Sequence, residues 1–175
     1  MTIDLHDYVA SIPDFPESGI IFRDVTPLLA DAAALKMATH QLAMYAQKQG
    51  ATVVVAPESR GFLLGTPIAI ELGIGFVPAR KPGKLPRETV SEHYALEYGS
   101  ATLEINRDAI KPGDKVVIVD DLLATGGTIA ATINLVEKLG GEVVGLGFLI
   151  ELNALSGRDI LKGYDIHALL AYEGE

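Results

Sequence analysis

Two adjacent carboxylates, Asp120 and Asp121, are followed three residues later by Ala124-Thr125-Gly126-Gly127-Thr128. Ionised carboxylates only accept hydrogen bonds, so the pair suits a ligand that presents hydroxyl groups. The small-residue run suits an anion. Gly126 and Gly127 remove side chains that would hold a phosphate away, the turn offers backbone N–H groups at a positive helix end, and Thr125 and Thr128 add hydroxyl donors. The elements needed to position these groups are written on either side. Val116-Val117-Ile118-Val119 reads as a strand buried on both faces. After the glycines, Ile129, Ile133, Val136 and Leu139 recur at helical spacing. An acid pair beside glycines can be a plain capped junction; strand, acids, glycines and helix in this order instead describe a ligand site at a strand's carboxyl end. No Gly-Lys-Ser/Thr closes the turn, so it is not a P-loop, and it lacks the dinucleotide Gly-x-Gly-x-x-Gly spacing.

Two further strands end in the same way. Thr52 to Ala56 leads into Pro57-Glu58-Ser59-Arg60-Gly61 and then a helix. A cation at a helix N-terminus opposes the dipole, and a bound anion gives Arg60 a reason to be there. Gly75 to Arg80 leads into Arg80-Lys81-Pro82-Gly83-Lys84-Leu85-Pro86-Arg87, four cations in eight residues of an acidic chain. Thr89 to Asn106 reads as a hairpin: Tyr94, Leu96 and Tyr98 alternate on one arm and Ala101, Leu103 and Ile105 on the other, with Gly99-Ser100 as a two-residue turn. A charged hairpin inserted into such a chain suits a mobile lid.

The remaining pattern completes an α/β fold. Residues 3–11 read as a short helix, residues 12–19 as a Pro/Gly-broken loop, and Ile20 to Val25 as an extended run in which Phe22 reads as core. Asp31 caps a helix with Leu35, Ala38, Leu42 and Tyr45 inward and Gly50 at its end. Val143 to Ile150 reads as a buried strand with Gly145 and Gly147 as packing glycines, and Tyr164 to Tyr172 contains a last strand. His40 reads as surface, with no partner motif, and His167 as structural. Gly61 to Ala79 is apolar enough to raise a membrane span, but Pro67, Glu71, Gly73 and Gly75 divide it into helix, turn and strand. Alternating strands and helices predict a parallel sheet with helices on both faces.

Composition narrows the function classes. The chain has 175 residues, a single-domain length, and a net charge of −9, which argues against a nucleic-acid surface. There is no cysteine, so disulfides, thiolate metal sites and cysteine nucleophiles are excluded. The opening Met-Thr-Ile-Asp-Leu-His-Asp has no basic segment before an apolar core. No signal peptide and no membrane association are therefore expected, and a cytoplasmic location is.

Val-Asp-Asp-Leu-Leu-Ala-Thr-Gly-Gly-Thr resembles the phosphoribosyl-diphosphate (PRPP) motif of type I phosphoribosyltransferases, and in this form the adenine branch of that family. Phe-Pro-x-x-Gly-Ile-x-Phe-Arg-Asp, Glu-Ser-Arg-Gly-Phe, Arg-Lys-Pro-Gly-Lys-Leu-Pro and Leu-Glu-Tyr-Gly are similar to further segments of the same family, in the expected order. The resemblance implies one phosphoribosyltransferase domain over 1–175, with a base-binding hood at about 1–30 and a flexible loop at about 81–107. It implies that Phe22 stacks on adenine, that the backbone at Ile21 and Arg23 pairs with its edge, and that Leu122 borders it. Ala124 to Thr128 would hold the 5′-phosphate, and Asp120 and Asp121 the ribose hydroxyls. Glu58, Ser59, Arg60, Lys81 and Lys84 would line the diphosphate end, while Glu97 and Tyr98 close over the substrates. Glu97, Asp120, Asp121 and Arg60 are the implied catalytic set. The implied reaction joins the phosphoribosyl group to adenine N9 and releases diphosphate; Mg²⁺ is held mainly by PRPP, with no direct protein ligand, and the enzyme is a homodimer. A 6-oxopurine enzyme, a PRPP- or nucleotide-sensing regulator on the same fold, and a plain structural α/β domain are the alternatives. Intact Arg60 and Leu96-Glu97-Tyr98-Gly99 speak against the regulator.

Overall fold

The strand carrying the acid pair lies at the centre of the sheet. The computed structural model describes residues 2–96 and 98–174. In chain order it forms β1 (Ala10–Pro13), β2 (Ile21–Asp24), α1 (Thr26–Ala30), α2 (Ala32–Lys48), β3 (Val53–Pro57), α3 (Arg60–Leu72) and β4 (Gly75–Ala79). There follow β5 (Thr89–Ala95), β6 (Ser100–Asn106), β7 (Lys115–Leu123), α4 (Gly127–Lys138), β8 (Glu142–Leu152) and β9 (Ile166–Tyr172). Five strands make one sheet in the order β4-β3-β7-β8-β9, every pair parallel. Parallel pairing brings the carboxyl ends of β3, β4 and β7 to the same edge, which is where the three candidate loops begin.

The β-branched run of β7 explains its place. Val117 and Val119 pack beneath α2 and α3 with Leu42, Leu64 and Ile68, while Val116 and Ile118 pack beneath α4 with Ile129, Ile133 and Val136. All four β7 side chains are buried. Each contributes about 1.5–3 kcal/mol of apolar burial, and only a strand covered on both faces can collect it four times in succession. Asp31 caps α2 as expected, its Oδ1 accepting from the Ala34 amide at 2.9 Å. Gly145 is a packing glycine: a Cβ there would lie 2.6 Å from the Tyr45 hydroxyl on α2.

Several boundaries differ from the sequence expectations. Strand β7 runs through Asp120 and Asp121 to Leu123, because Asp120, Leu122 and Leu123 keep register with Phe148, Ile150 and Glu151 of β8. Residues 3–11 hold only a 3-10 turn, Leu5–Tyr8, before β1 begins and pairs antiparallel with β2. Gly61 to Ala79 does divide into helix, turn and strand, with Pro67 inside α3 at the cost of one helical hydrogen bond and Leu64 and Ile68 buried on either side. His40 has a partner, Glu71. His167 stacks on the Tyr45 ring, centroids 4.8 Å apart.

The hairpin β5–β6 forms, but Ala95 pairs with Ser100, so Gly99-Ser100 is not its two-residue turn. Leu103 and Ile105 are buried in the core beneath α4, and Lys138 of α4 bonds Glu92 and the Ser91 carbonyl, each at 2.8 Å. The body of the hairpin is therefore part of the core, whereas Leu96 and Tyr98, beyond its last pair, are exposed. Glu97 lies outside the described residues.

Candidate active site

Three loops meet at the common edge of the sheet. The β3 loop supplies Glu58, Ser59 and Arg60, the β4 loop Lys81, and β7 with its following turn Asp120, Asp121 and Thr128; together they line a polar cavity of about 410 Å³. A smaller cavity of about 180 Å³ adjoins it over residues 122–129. A third, about 400 Å³ and largely apolar, opens beneath the β1–β2 pair among Phe15, Phe22, Arg23, Val25 and Leu63. Arg60 lines all three cavities. Phe22 meets the Phe15 ring edge-on at 5.2 Å, so one apolar wall of the third cavity is aromatic.

Charge in the polar cavity is arranged around Arg60. Its Nε donates to Asp121 Oδ2 at 2.9 Å, and Asp121 is buried while the Arg60 side chain is half exposed. The neighbouring Asp120 receives the Asp121 amide on Oδ1 at 2.8 Å. Burial, and then the Asp121 carboxylate beside it, push Asp120 well above the usual carboxylate range. The site therefore holds a carboxylate that favours the arrival of positive charge.

Glu58 is tied to the β4 loop: one carboxylate oxygen accepts from Arg80 Nε at 2.8 Å and from the Lys81 amide at 3.1 Å. Burial alone would raise Glu58, but those hydrogen bonds outweigh it and hold the group below its ordinary value. Glu104 on β6 fixes the other side of the same loop, accepting from the Gly83 amide at 3.1 Å and from the Thr89 and Ser91 hydroxyls at 3.0 Å. Two acids thus shape the basic loop from below.

The phosphate-type turn is built as its residues require. Gly126 has φ 87°, a conformation that a residue with a Cβ adopts only with strain, and α4 starts directly after it with no side-chain cap. The first amides of α4 are left for a ligand to satisfy.

Comparison with known proteins agrees with this architecture. The phosphoribosyl transferase domain family matches residues 25–165. Adenine phosphoribosyltransferase of Lactobacillus gasseri is 59% identical over 174 residues, covering 99% of this chain and 99% of that protein. The chain belongs to the adenine phosphoribosyltransferase family. Among solved adenine phosphoribosyltransferases, that of Thermoanaerobacter pseudethanolicus superposes with TM-score 0.93 at 53% identity, over 96% of this chain and 98% of that one. The Saccharomyces cerevisiae enzyme, crystallised with D-2,5-dideoxy-2,5-imino-altritol 1,6-bisphosphate and adenine, gives 0.91 at 38% identity over 95% and 96%.

In this adenine phosphoribosyltransferase chain most of the residues singled out by sequence come together. Glu58, Ser59, Arg60, Lys81, Asp120, Asp121 and the turn Ala124 to Thr128 line the two polar cavities. Phe22 and Arg23 line the apolar one; Ile21 is half-buried on β2 outside that lining. Leu122 borders the phosphate-type turn rather than the apolar cavity. Lys84 is exposed and lines neither polar cavity. Tyr98 is 89% exposed and faces Thr125, Gly127 and Thr128 across an open cleft, with Ile160 on the far side. Sequence reasoning missed Glu104, Gly157 and Ile160. No motif marks them; their positions arise only when the hairpin and the residues after β8 fold back onto the site.

Proposed function

We propose that the chain transfers the 5-phosphoribosyl group of PRPP to N9 of adenine, giving AMP and diphosphate. The observation that carries this reading is Arg60 at the junction of three cavities: an apolar one for a base, a glycine turn for a monophosphate, and a cationic one for a leaving diphosphate. The yeast relative crystallised with adenine and a bisphosphate supports it.

In the reaction the bond from the anomeric carbon to diphosphate breaks, a bond to N9 forms, and the N9 proton leaves. Positive charge develops on the sugar as the leaving group departs. Asp120 and Asp121 accept hydrogen bonds from the ribose hydroxyls and stabilise that charge, while Arg60 and Lys81 receive the diphosphate. The 5′-phosphate sits on the amides and hydroxyls of Ala124 to Thr128. Glu58, bonded to the Lys81 amide, positions the loop rather than touching the anion itself.

The residues fit a Mg²⁺ ion carried in by PRPP: the ion favours one or two carboxylates plus phosphate oxygens, and Asp120 and Asp121 both line the polar cavity. Its chemistry there would be to neutralise the diphosphate. PRPP oxygens would hold it.

Phe22 supplies the stacking face for adenine, and the backbone at Ile21 and Arg23 its edge contacts. Phe22→Ala is expected to raise the KM for adenine about tenfold, in line with the loss of one base–aromatic stack, and to leave the KM for PRPP within about twofold. Steady-state kinetics with each substrate varied checks this; equal effects on both would remove Phe22 from the base site. The connection between Ala95 and Ser100 closes over the substrates and excludes water, with Tyr98 reaching the phosphate turn. Glu97, assigned from sequence, acts on the base or the developing charge. Glu97→Gln should lower kcat about tenfold or more with little change in PRPP binding. A variant with wild-type kcat would take Glu97 out of the chemistry.

The chain works as a cytoplasmic homodimer. Among the described residues no helix is long and apolar enough to cross a membrane. The reading is tested by incubating Mg²⁺-PRPP with adenine, hypoxanthine, guanine and xanthine separately and resolving nucleotides by chromatography. AMP from adenine alone is expected. Nucleotide from a 6-oxopurine instead would discard the base assignment, and none from any base would discard the enzyme.

A further inference from the structure

Behind the phosphate turn lies the 3-10 turn Gly157–Leu161. The two backbones meet at glycines on both sides. A Cβ on Gly157 would stand 2.5 Å from the Ala124 carbonyl oxygen, and one on Gly126 would stand 2.9 Å from the Gly157 carbonyl oxygen. No side chain fits between them, so the position of one turn dictates the position of the other.

The backing turn is itself held by charge. Ser156, immediately before it, has φ 53°, a left-handed conformation unfavourable for a residue with a Cβ. Arg158 in the turn grips Glu151 at two points, Nε on Oε1 at 2.5 Å and a terminal nitrogen on Oε2 at 2.8 Å. Glu151 is only 7% exposed, and it stands in register with Leu123, the residue that leads into Ala124. The ion pair therefore links the sheet at the start of the phosphate turn to the segment packed behind it. Neither side chain lines the cavities described above.

We propose that Glu151 and Arg158 are positioning residues for the phosphate turn: by fixing Gly157–Leu161 they set the depth of the Ala124–Thr128 cradle and hence its affinity for the 5′-phosphate of PRPP. The inference rests on the reading of that turn given under the proposed function. A buried carboxylate paired bidentately with Arg has the directional strength for this task, which a Lys in place of Arg would lack.

The test compares wild type with Arg158→Ala, Arg158→Lys and Glu151→Gln, in kinetics and in thermal protection by ribose 5-phosphate. Arg158→Ala should raise the KM for PRPP about tenfold or more, with kcat within about threefold and the KM for adenine unchanged. Ribose 5-phosphate should protect it less than it protects wild type, and Arg158→Lys should recover part of both losses. Glu151→Gln, which keeps the side-chain volume, should show the same split if Arg158→Ala does not fold. Unchanged PRPP affinity and unchanged protection in a folded variant would overturn the proposal. So would equal losses for both substrates, or unfolding of both Arg158→Ala and Glu151→Gln, since each marks a merely structural pair. Wild type that forms no AMP would instead refute the reading of the site itself.

Discussion

Arg60→Ala is expected to lower kcat/KM for PRPP by about 10²–10³-fold, the usual loss when one preorganised donor to developing negative charge is removed. The size follows from where Arg60 stands. It borders the apolar cavity, the polar cavity and the cavity over the glycine turn together, and among the described residues no other lines all three. Its substitution also leaves Asp121, buried and 2.9 Å away, without its cation. Because the Arg60 side chain is half exposed, water offsets much of that loss, and stability should fall by only about 1–2 kcal/mol. The two effects separate experimentally: the activity loss far exceeds what partial unfolding could produce. Arg60→Lys keeps the charge but not the planar fork and should recover only part of the rate. Wild-type kinetics in Arg60→Ala would remove this residue from the site.

Asp120→Asn should make the ligand-free protein more stable while lowering kcat/KM about a hundredfold. Asp120 is pushed up by burial and by the Asp121 carboxylate, so its pKa in the folded chain exceeds the unfolded value near 3.8. Between those two values the folded state binds the extra proton. Stability therefore falls as pH rises from about 3.8 through the folded pKa, and the deficit persists at neutral pH. Asparagine has no proton to lose and keeps the oxygen that accepts from the Asp121 amide. The variant should melt about 2–4 °C higher at pH 7 and lose that part of the pH slope. Calorimetry on both proteins across the acid range checks this. A variant that melts lower at pH 7, or that keeps the full slope, would contradict the charge assignment.

The parts of the site that a reader can take from the sequence are those built from contiguous residues. Four β-branched residues before Asp120 announce a strand covered on both faces, and Gly126-Gly127 before a helical repeat announces an anion turn. That β3, β4 and β7 deliver their loops to one edge follows from parallel pairing, which the alternation of strand and helix already implies. Contacts that depend on the folded chain were hidden. Nothing local indicates that Arg60 would pair with Asp121, sixty-one residues later, or that Glu104 would receive the Gly83 amide. Lys84 belongs to the same basic run as Lys81, yet the loop turns at Gly83 and only Lys81 faces the cavity. The hairpin is legible in its alternation, but alternation alone suits a mobile lid and does not say what Leu103 and Ile105 pack against. The burial beneath α4 decided for core. Gly157 can approach the turn so closely only because Gly126 lies opposite, a relation between residues thirty-one positions apart.

The central claim is that three strand ends form one site around Arg60, and its most direct test is a crystal structure with adenine and Mg²⁺-PRPP, or a non-reactive analogue of it. The predicted complex has the 5′-phosphate on the amides of Ala124 to Thr128, the diphosphate against Arg60 and Lys81, and the ribose hydroxyls on Asp120 and Asp121. The adenine ring lies on Phe22. A sugar phosphate bound away from the Gly126-Gly127 turn, or a base outside the cavity beneath β1 and β2, would contradict it.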